Sequence, residues 1–427
     1  MAAGPVCNQN DEDPENPMPS MMRRLPVSLA LCGLVLAGGF AAPPARAGAA
    51  STASGAAGQA QPAAQVTPHG LPGAPSAPVL PDVASYVLMD MQTGTVIAEK
   101  GAMLPRAPAS LTKLMTAYLT YQAIADGKLK PDQDVPVSVA AWKAGGSRMF
   151  IAPGMTVTVG QLLHGLVIDS GNDSAVALAQ AVAGTQDAFV QRMNAAAVKL
   201  GLTGTHYSNV SGLPDPGLQT TALDVAKLSR AILLEYPGIL QISAQKHYTF
   251  NKIRQRSWNP VLFRDPSVDG LKTGLTDAAG HSIDATSLRN GSRLIAVELG
   301  GPSWASGTSA IEVLLDYGYQ FFQDAQIAKA GAPLGEMTDT HVTPERIAVG
   351  AAKDLVLTVP SDSLKSIKTS LHLAPNPPQT LPKGTPVGTI SYSLAGTVLA
   401  TEPAVTLSAA HPAGFVTRMM RRLSSLL

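Results

Sequence analysis

Cysteine is nearly missing from this chain. Of 427 residues only Cys7 and Cys32 carry a thiol, and both fall in a segment expected to be removed, so no disulfide framework or cysteine metal site holds the fold. Charge is scarce too. Charged residues make up 14% and hydrophobic ones 45%, a balance that excludes a largely disordered chain. Neither sign dominates: Lys+Arg 31 against Asp+Glu 30 leaves +1, so no basic field asks for nucleic acid. No His/Asp/Glu cluster has zinc-like spacing, and neither a metal nor another cofactor is expected. What remains is enough apolar material for two or three domains, at roughly 100–200 residues each.

The N-terminus reads as an export signal behind an acidic leader. Arg23 and Arg24 precede an apolar run, Leu25 to Ala42, and Pro43-Pro44-Ala45-Arg46-Ala47 supplies an A-x-A cleavage site, giving residues 1–47. Pro26 and Gly38-Gly39 break the run, which argues for cleavage over an uncleaved anchor. Residues 48–80 are Ala/Gly/Pro/Gln-rich and almost uncharged, the texture of a tether.

Residues 81–325 read as one α/β layered domain. Tyr86–Met91 and Thr95–Glu99 flank Gln92-Thr93-Gly94 as a hairpin. Leu111, Leu114, Met115, Tyr118 and Leu119 then recur at the spacing of one helical stripe. Val159–Ile168, Ser174–Val182 and Val225–Leu234 are further helices, the last opened by a capping box of Thr221 and Asp224. Gly270–Thr273, His281–Thr286 and Arg293–Leu299 read as strands, and Ser309–Phe322 as a closing helix. Beyond Val342 short β-prone runs alternate with Pro and Gly: Ile347–Val349, Leu355–Val359, Thr369–Leu373, Pro386–Tyr392, Gly396–Ala400 and Ala404–Thr406. They predict a small all-β sandwich over 338–407.

Chemistry concentrates in three segments. Ser110-Leu111-Thr112-Lys113 puts a hydroxyl and an amine on one side of a helix's first turn. Serine is a weak nucleophile without an adjacent base, and lysine serves as that base only when burial or a second cation lowers its pKa. Alone, the pattern far more often describes a capped helix with a surface lysine. Ser170-Gly171-Asn172 and, on a predicted strand, Lys272-Thr273-Gly274 follow in order, and Lys272 is the second cation that Lys113 needs. The three together indicate an active-site serine acyltransferase.

In these segments the chain resembles the penicillin-recognising serine enzymes. It is most similar to low-molecular-mass D-alanyl-D-alanine carboxypeptidases. The likeness extends through Pro108–Thr116, Gly165–Ile168, Ser170–Asp173, Ser211–Asp215, Val268–Gly274, Thr276-Asp277 and Ala279-Gly280. It implies a serine β-lactamase/D,D-peptidase-like α/β (α+β) catalytic domain with a second, small all-β domain. It also implies roles. Ser110 would be acylated by the penultimate D-alanine of a peptidoglycan stem peptide, and Lys113 would take its proton. Ser170 would relay that proton to the leaving amine, and Asn172 would orient Lys113 and the substrate amide. Lys272 and Thr273 would meet the substrate carboxylate, and Gly274 would leave room along the strand edge. The backbone N–H groups of Ser110 and Leu275 would form the oxyanion hole. The implied partners are peptidoglycan stem peptides and β-lactam antibiotics.

Two rival readings stand beside this. A class A-like β-lactamase needs a Glu to activate deacylating water, and this chain has none between Glu99 and Glu235. Asp215 and Asp224, near the expected position, read as a turn residue and the capping-box acid. A catalytically weak penicillin-binding scaffold is the other, motivated by departures from the family pattern. Gly300-Gly301 is followed by no basic residue through Thr308, and Trp258-Asn259 stands where Arg-Asn is common. His281 and Asp284 occupy a strand whose relatives are more apolar, and solvent or a local hydrogen bond is the plain reading of both. At the C-terminus, residues 412–427 predict an amphipathic helix. Phe415, Val416, Met419, Met420, Leu423, Leu426 and Leu427 fall within an arc of roughly 140°, opposite Arg418, Arg421 and Arg422. It is too short to span a bilayer and is expected to lie in the interface, with the arginines on anionic headgroups. Docking on the β domain is the alternative. The mature protein is thus expected outside the cytoplasmic membrane, held on its outer face.

Overall fold

The computed structural model describes residues 71–424 apart from Asn376 and Gln379. The expected export signal, residues 48–70 of the tether and residues 425–427 lie outside the described residues. The chain enters as a hairpin, β1 (Ser85–Asp90) and β2 (Val96–Lys100). A 3-10 turn, Ala109–Leu111, leads directly into α1 (Thr112–Ala125). A short ladder of β3 (Asp134–Pro136) and β4 (Thr156–Thr158) encloses the single turn α2 (Val139–Trp142). There follow α3 (Val159–Val167), α4 (Asn172–Ala183), α5 (Gln186–Lys199), α6 (Ala222–Glu235) and α7 (Leu240–Ser243). A second hairpin, β5 (His247–Phe250) and β6 (Ile253–Arg256), precedes the long strands β7 (Val268–Thr276), β8 (Gly280–Arg289) and β9 (Ser292–Gly301). The helix α8 (Trp304–Phe321) closes this mixed helix/sheet domain.

The five long strands form one antiparallel sheet in the order β2-β1-β9-β8-β7, so first and last strands of the domain meet at its centre and β7 is left as an edge. Period-2 alternation divides the sheet's side chains. Leu88, Ile283, Ala285, Leu294 and Ala296 pack under α8, while Val87, Met89, Ile295 and Val297 face the helical layer. The helix α1 lies inside that layer, and Thr112 through Thr120 are all buried. The expected single apolar stripe therefore understates it. Of its buried hydroxyls, Thr116 donates to Val210 O and Thr120 to Thr116 O, while Thr112 Oγ1 has no partner among the described residues.

The second domain is all-β. Its strands are β10 (Phe322–Ala328), β11 (Pro333–Thr338), β12 (Val342–Thr343), β13 (Arg346–Ala351), β14 (Leu355–Pro360), β15 (Lys368–Leu373), β16 (Pro386–Leu394), β17 (Thr397–Thr406) and β18 (His411–Pro412). Five make a sheet in the order β11-β13-β17-β16-β15, flanked by β10-β14 and β12-β18 pairs. The last described element is α9 (Phe415–Ser424).

Several elements differ from the sequence reading. The helix α5 was not foreseen, because its buried stripe is only Phe189, Met193 and Ala197. The reading ends the first domain at residue 325, yet Phe322 already opens β10, which pairs with β14 of the second. Gly396–Ala400 and Ala404–Thr406 belong to one strand. Pro403 is tolerated inside it because β13 pairs only with Ala404–Thr406, leaving no ladder bond for the missing N–H on that side. The last ten tether residues are laid on the catalytic domain: Leu71, Ala74 and Leu80 pack on the α8 cluster, and the hydroxyls of Tyr317 and Tyr86 donate to Pro75 O and Pro78 O. Thr221 caps α6 by accepting from Asp224 N, but the Asp224 carboxylate does not close a capping box. It turns away to accept from Gly204 N and Thr205 Oγ1.

Candidate active site

Ser110 sits in the 3-10 turn that feeds α1, and Lys113 lies in the first turn of that helix. Burial of α1 on all sides leaves the lysine 1% exposed. Its Nζ is 2.9 Å from Ser110 Oγ and donates to Ser211 O at 2.6 Å. Desolvation, and after it the positive charge of Lys272, push Lys113 well below its usual pKa, with Asp173 opposing. Burial thus disfavours the charged form of an amine in contact with a serine hydroxyl, the placement a general base needs.

The second segment occupies the N-terminus of α4. Ser170 has a left-handed φ of 57°, Gly171 caps the helix, and Asn172 begins it. The carboxylate of Asp173 fastens this turn to the preceding loop by accepting from the backbone N–H groups of Met149, Phe150, Ile151 and Ser174. Ser147 Oγ donates to Ser170 O, and Asn172 Nδ2 donates to Gly145 O. The third segment lies on the edge strand β7. Lys272 is buried, and its Nζ donates to Ser170 Oγ and Thr273 O, both at 2.9 Å. Burial pushes Lys272 down to about 7. At Gly274 a Cβ would stand 2.9 Å from Pro108 O and 3.3 Å from Ser110 N, so only glycine lets this strand run against the Ser110 backbone. Gly212, with φ +90°, makes a comparable approach to Ala109 O.

Of the eight residues singled out by sequence, Lys113 touches Ser110 Oγ, Lys272 touches Ser170 Oγ and Gly274 lies against the Ser110 backbone, though not every contact foreseen is made. Lys113 is held by the carbonyl of Ser211, and the amide of Asn172 is spent on Gly145, leaving its Oδ1 without a partner among the described residues. A backbone carbonyl carries no residue-type signal, so the Ser211 contact could not be read from the motif. Thr273 is buried beside Lys272, and Leu275 is exposed at the cleft edge. Of the departures, Asn259 accepts from Val261 N and donates to Gly270 O, bracing the start of β7, while Trp258 is half exposed. His281 sits edge-on to Trp304, with ring centroids 4.8 Å apart. Asp284 is fully buried and accepts from Ser229 Oγ at 2.6 Å, which makes the local hydrogen bond, not solvent, its environment. Among the described residues no group of three His, Cys, Asp or Glu could hold a metal ion.

Comparison with known proteins places this arrangement. Residues 74–303 match the family model described as D-alanyl-D-alanine carboxypeptidase, and residues 322–411 match the C-terminal domain of penicillin-binding protein 5. The chain is 37% identical over 334 residues to the D-alanyl-D-alanine carboxypeptidase DacA of Escherichia coli strain K12, covering 76% of this chain and 83% of that protein. The solved structure of penicillin binding protein 5 from Haemophilus influenzae superposes with a TM-score of 0.73 at 30% identity, over 79% of this chain and 99% of that one. Penicillin binding protein 6B from Escherichia coli gives 0.67 at 34% identity, over 79% and 99%. With its serine-lysine geometry and both domains matched, the chain belongs to the D-alanyl-D-alanine carboxypeptidase family.

Proposed function

We propose that this protein is a serine-type D-alanyl-D-alanine carboxypeptidase acting on peptidoglycan pentapeptide stems in cell-wall maturation. The observation that carries the reading is the buried Lys113 amine in contact with Ser110 Oγ, with a second buried lysine held on Ser170. Ser110 Oγ attacks the carbonyl of the penultimate D-alanine while Lys113 accepts its proton. The developing oxyanion is met by the N–H of Ser110 and that of Leu275, on the strand that Gly274 brings alongside. Ser170, hydrogen-bonded to Lys272, relays the proton taken up by Lys113 to the departing D-alanine amine. Lys272 and Thr273 hold the terminal carboxylate. Water then releases the shortened stem from Ser110. A β-lactam enters the same path through its strained amide. The acids nearest to a β-lactamase water position are occupied elsewhere: Asp215 accepts from Gly217 N, and Asp224 from Gly204 N. Labelling with a fluorescent penicillin, followed by mapping of the modified peptide, tests the assignment. Label on Ser110 supports it; label persisting in Ser110→Ala overturns it.

The helix α9 supports membrane association without a span. No helix among the described residues is long and apolar enough to cross a membrane. Phe415 and Val416 are 74% and 69% exposed, and Met419 and Met420 point outward with them. Arg421, which the sequence reading assigns to headgroups, instead donates to Thr340 O and Val342 O and pairs with Glu345. The helix thus touches the β domain through Arg421, while Phe415, Val416, Met419 and Met420 are exposed. Such an apolar arc is suited to the acyl boundary of the outer face of the cytoplasmic membrane. An exported enzyme anchored this way works in the periplasmic space beside its substrate.

A further inference from the structure

The chemistry above leaves Asp284 unused. It lies on β8, between β7 and β9, and the register sets it opposite Lys272 on one side and Val297 on the other. Residues directly opposite in an antiparallel pair share a face, with Cβ atoms about 4.5–5.5 Å apart. That face is covered by α6, whose Ser229 Oγ donates to Asp284 Oδ2 at 2.6 Å. The other oxygen, Oδ1, has no hydrogen-bond partner among the described residues, and the side chain is fully buried. The charged residues of α6 are turned elsewhere: Arg230 donates to Met91 O and Gln92 O, Lys227 donates to Gly201 O, Asp224 accepts from Gly204 N, and Glu235 accepts from the Tyr118 hydroxyl. From β9 the facing group is the apolar Val297, and from β7 it is Lys272. Lys272 in turn spends its hydrogen bonds on neutral acceptors, Ser170 Oγ and Thr273 O. A buried cation without a bonded carboxylate and a buried carboxyl without a bonded cation are therefore neighbours across one strand pair.

We propose that Asp284, held by Ser229, is a positioning residue for Lys272: it is the countercharge, one strand behind the cleft, that keeps the Lys272 amine protonated while that amine faces Ser170 and the substrate carboxylate. The inference rests on the reading of Lys272 as the working cation of the site. Burial pushes Lys272 down to about 7 and Asp284 up to about 7, with the Ser229 hydrogen bond pulling the acid back, and the strand register sets the two groups opposite each other. Removing the acid leaves Lys272 to lose its proton earlier as pH rises. With it go the charge that depresses Lys113 and the charge that meets the substrate.

The test uses the full-length protein, with Asp284→Asn, which keeps an acceptor for Ser229, and Ser229→Ala. The second-order rate of acylation by a fluorescent penicillin is measured from about pH 6 to about pH 10, normalised to titrated active sites. The alkaline limb is expected to move down by about one pH unit in Asp284→Asn, and by less in the same direction in Ser229→Ala. A role in packing alone lowers thermal stability or the active fraction and leaves the limb in place. A limb superimposable on wild type in Asp284→Asn, or in Ser229→Ala should the first variant not fold, overturns the proposal. Wild-type protein that takes no label on Ser110 at any pH overturns the parent reading instead, so the two failures are distinguishable.

Discussion

Asp90 offers a prediction that can be worked through from its surroundings. It ends β1 at the hairpin turn, is fully buried, and accepts from Thr93 N and Thr93 Oγ1 at 2.7 and 2.8 Å. Thr93 Oγ1 also meets Thr358 Oγ1 of β14 at 2.6 Å, and Thr358 donates to Asp324 of β10, so two carboxyls from two domains share one hydroxyl chain. Burial raises Asp90 to about 6, Thr93 N–H opposes, and the Asp324 charge raises it further. Against an ordinary 3.8, the shift of roughly two units corresponds to about 3 kcal/mol. A carboxyl raised in the folded state contributes stability that is full below the unfolded pKa and is lost as pH rises through the folded one. The window is therefore about pH 4 to about pH 7. Asp90→Asn keeps an acceptor for Thr93 and removes the titration. It should be more stable than wild type at pH 8 by up to about 3 kcal/mol, with the advantage shrinking toward pH 4. Urea unfolding followed by tryptophan fluorescence reads this transition, because Trp142, Trp258 and Trp304 all lie in the first domain. A difference between variant and wild type that does not change with pH refutes the reasoning.

Three further outcomes are expected. The penicilloyl enzyme should survive denaturing gel electrophoresis, since no Glu stands between Glu99 and Glu235 to activate water; hydrolysis of a chromogenic cephalosporin at tens per second contradicts this. Gly274→Val sets a side chain against Pro108 O and Ser110 N, so acylation should fall at least tenfold while stability drops by only about 1–3 kcal/mol, read by stopped-flow labelling beside thermal melts. Deleting residues 412–427 should move an active enzyme from the membrane to the soluble fraction; sedimentation with membranes after the deletion places the anchor elsewhere.

The parts of this molecule legible in its sequence are those where one residue type does one local job. The three motifs were legible because the proposed nucleophile, base and second cation must be Ser, Lys and Lys, and the structure sets Lys113 on Ser110 and Lys272 on Ser170. The hairpin was legible as two β-prone runs around a Gly turn, and the long strands as β-prone runs. What sequence did not give depends on groups that carry no residue-type signal or on distant partners. Ser211 acts through its carbonyl, and α5 buries only three side chains along its length. Asp224 looked like a capping acid until the loop at Gly204 and Thr205 claimed it. Asp284 had no account in one dimension, because Ser229 and Lys272 come beside it only through the helix α6 and the β7-β8 register.

The central claim is that Ser110, activated by Lys113, removes a terminal D-alanine. Release of D-alanine from diacetyl-Lys-D-Ala-D-Ala tests it directly, with wild type, Ser110→Ala and Lys113→Ala compared at equal folded protein. The account predicts stoichiometric release by wild type, none from Ser110→Ala, and a loss of several orders of magnitude in Lys113→Ala. Penicillin labelling of wild-type Ser110 without D-alanine release contradicts it, and leaves a penicillin-binding scaffold in place of an enzyme.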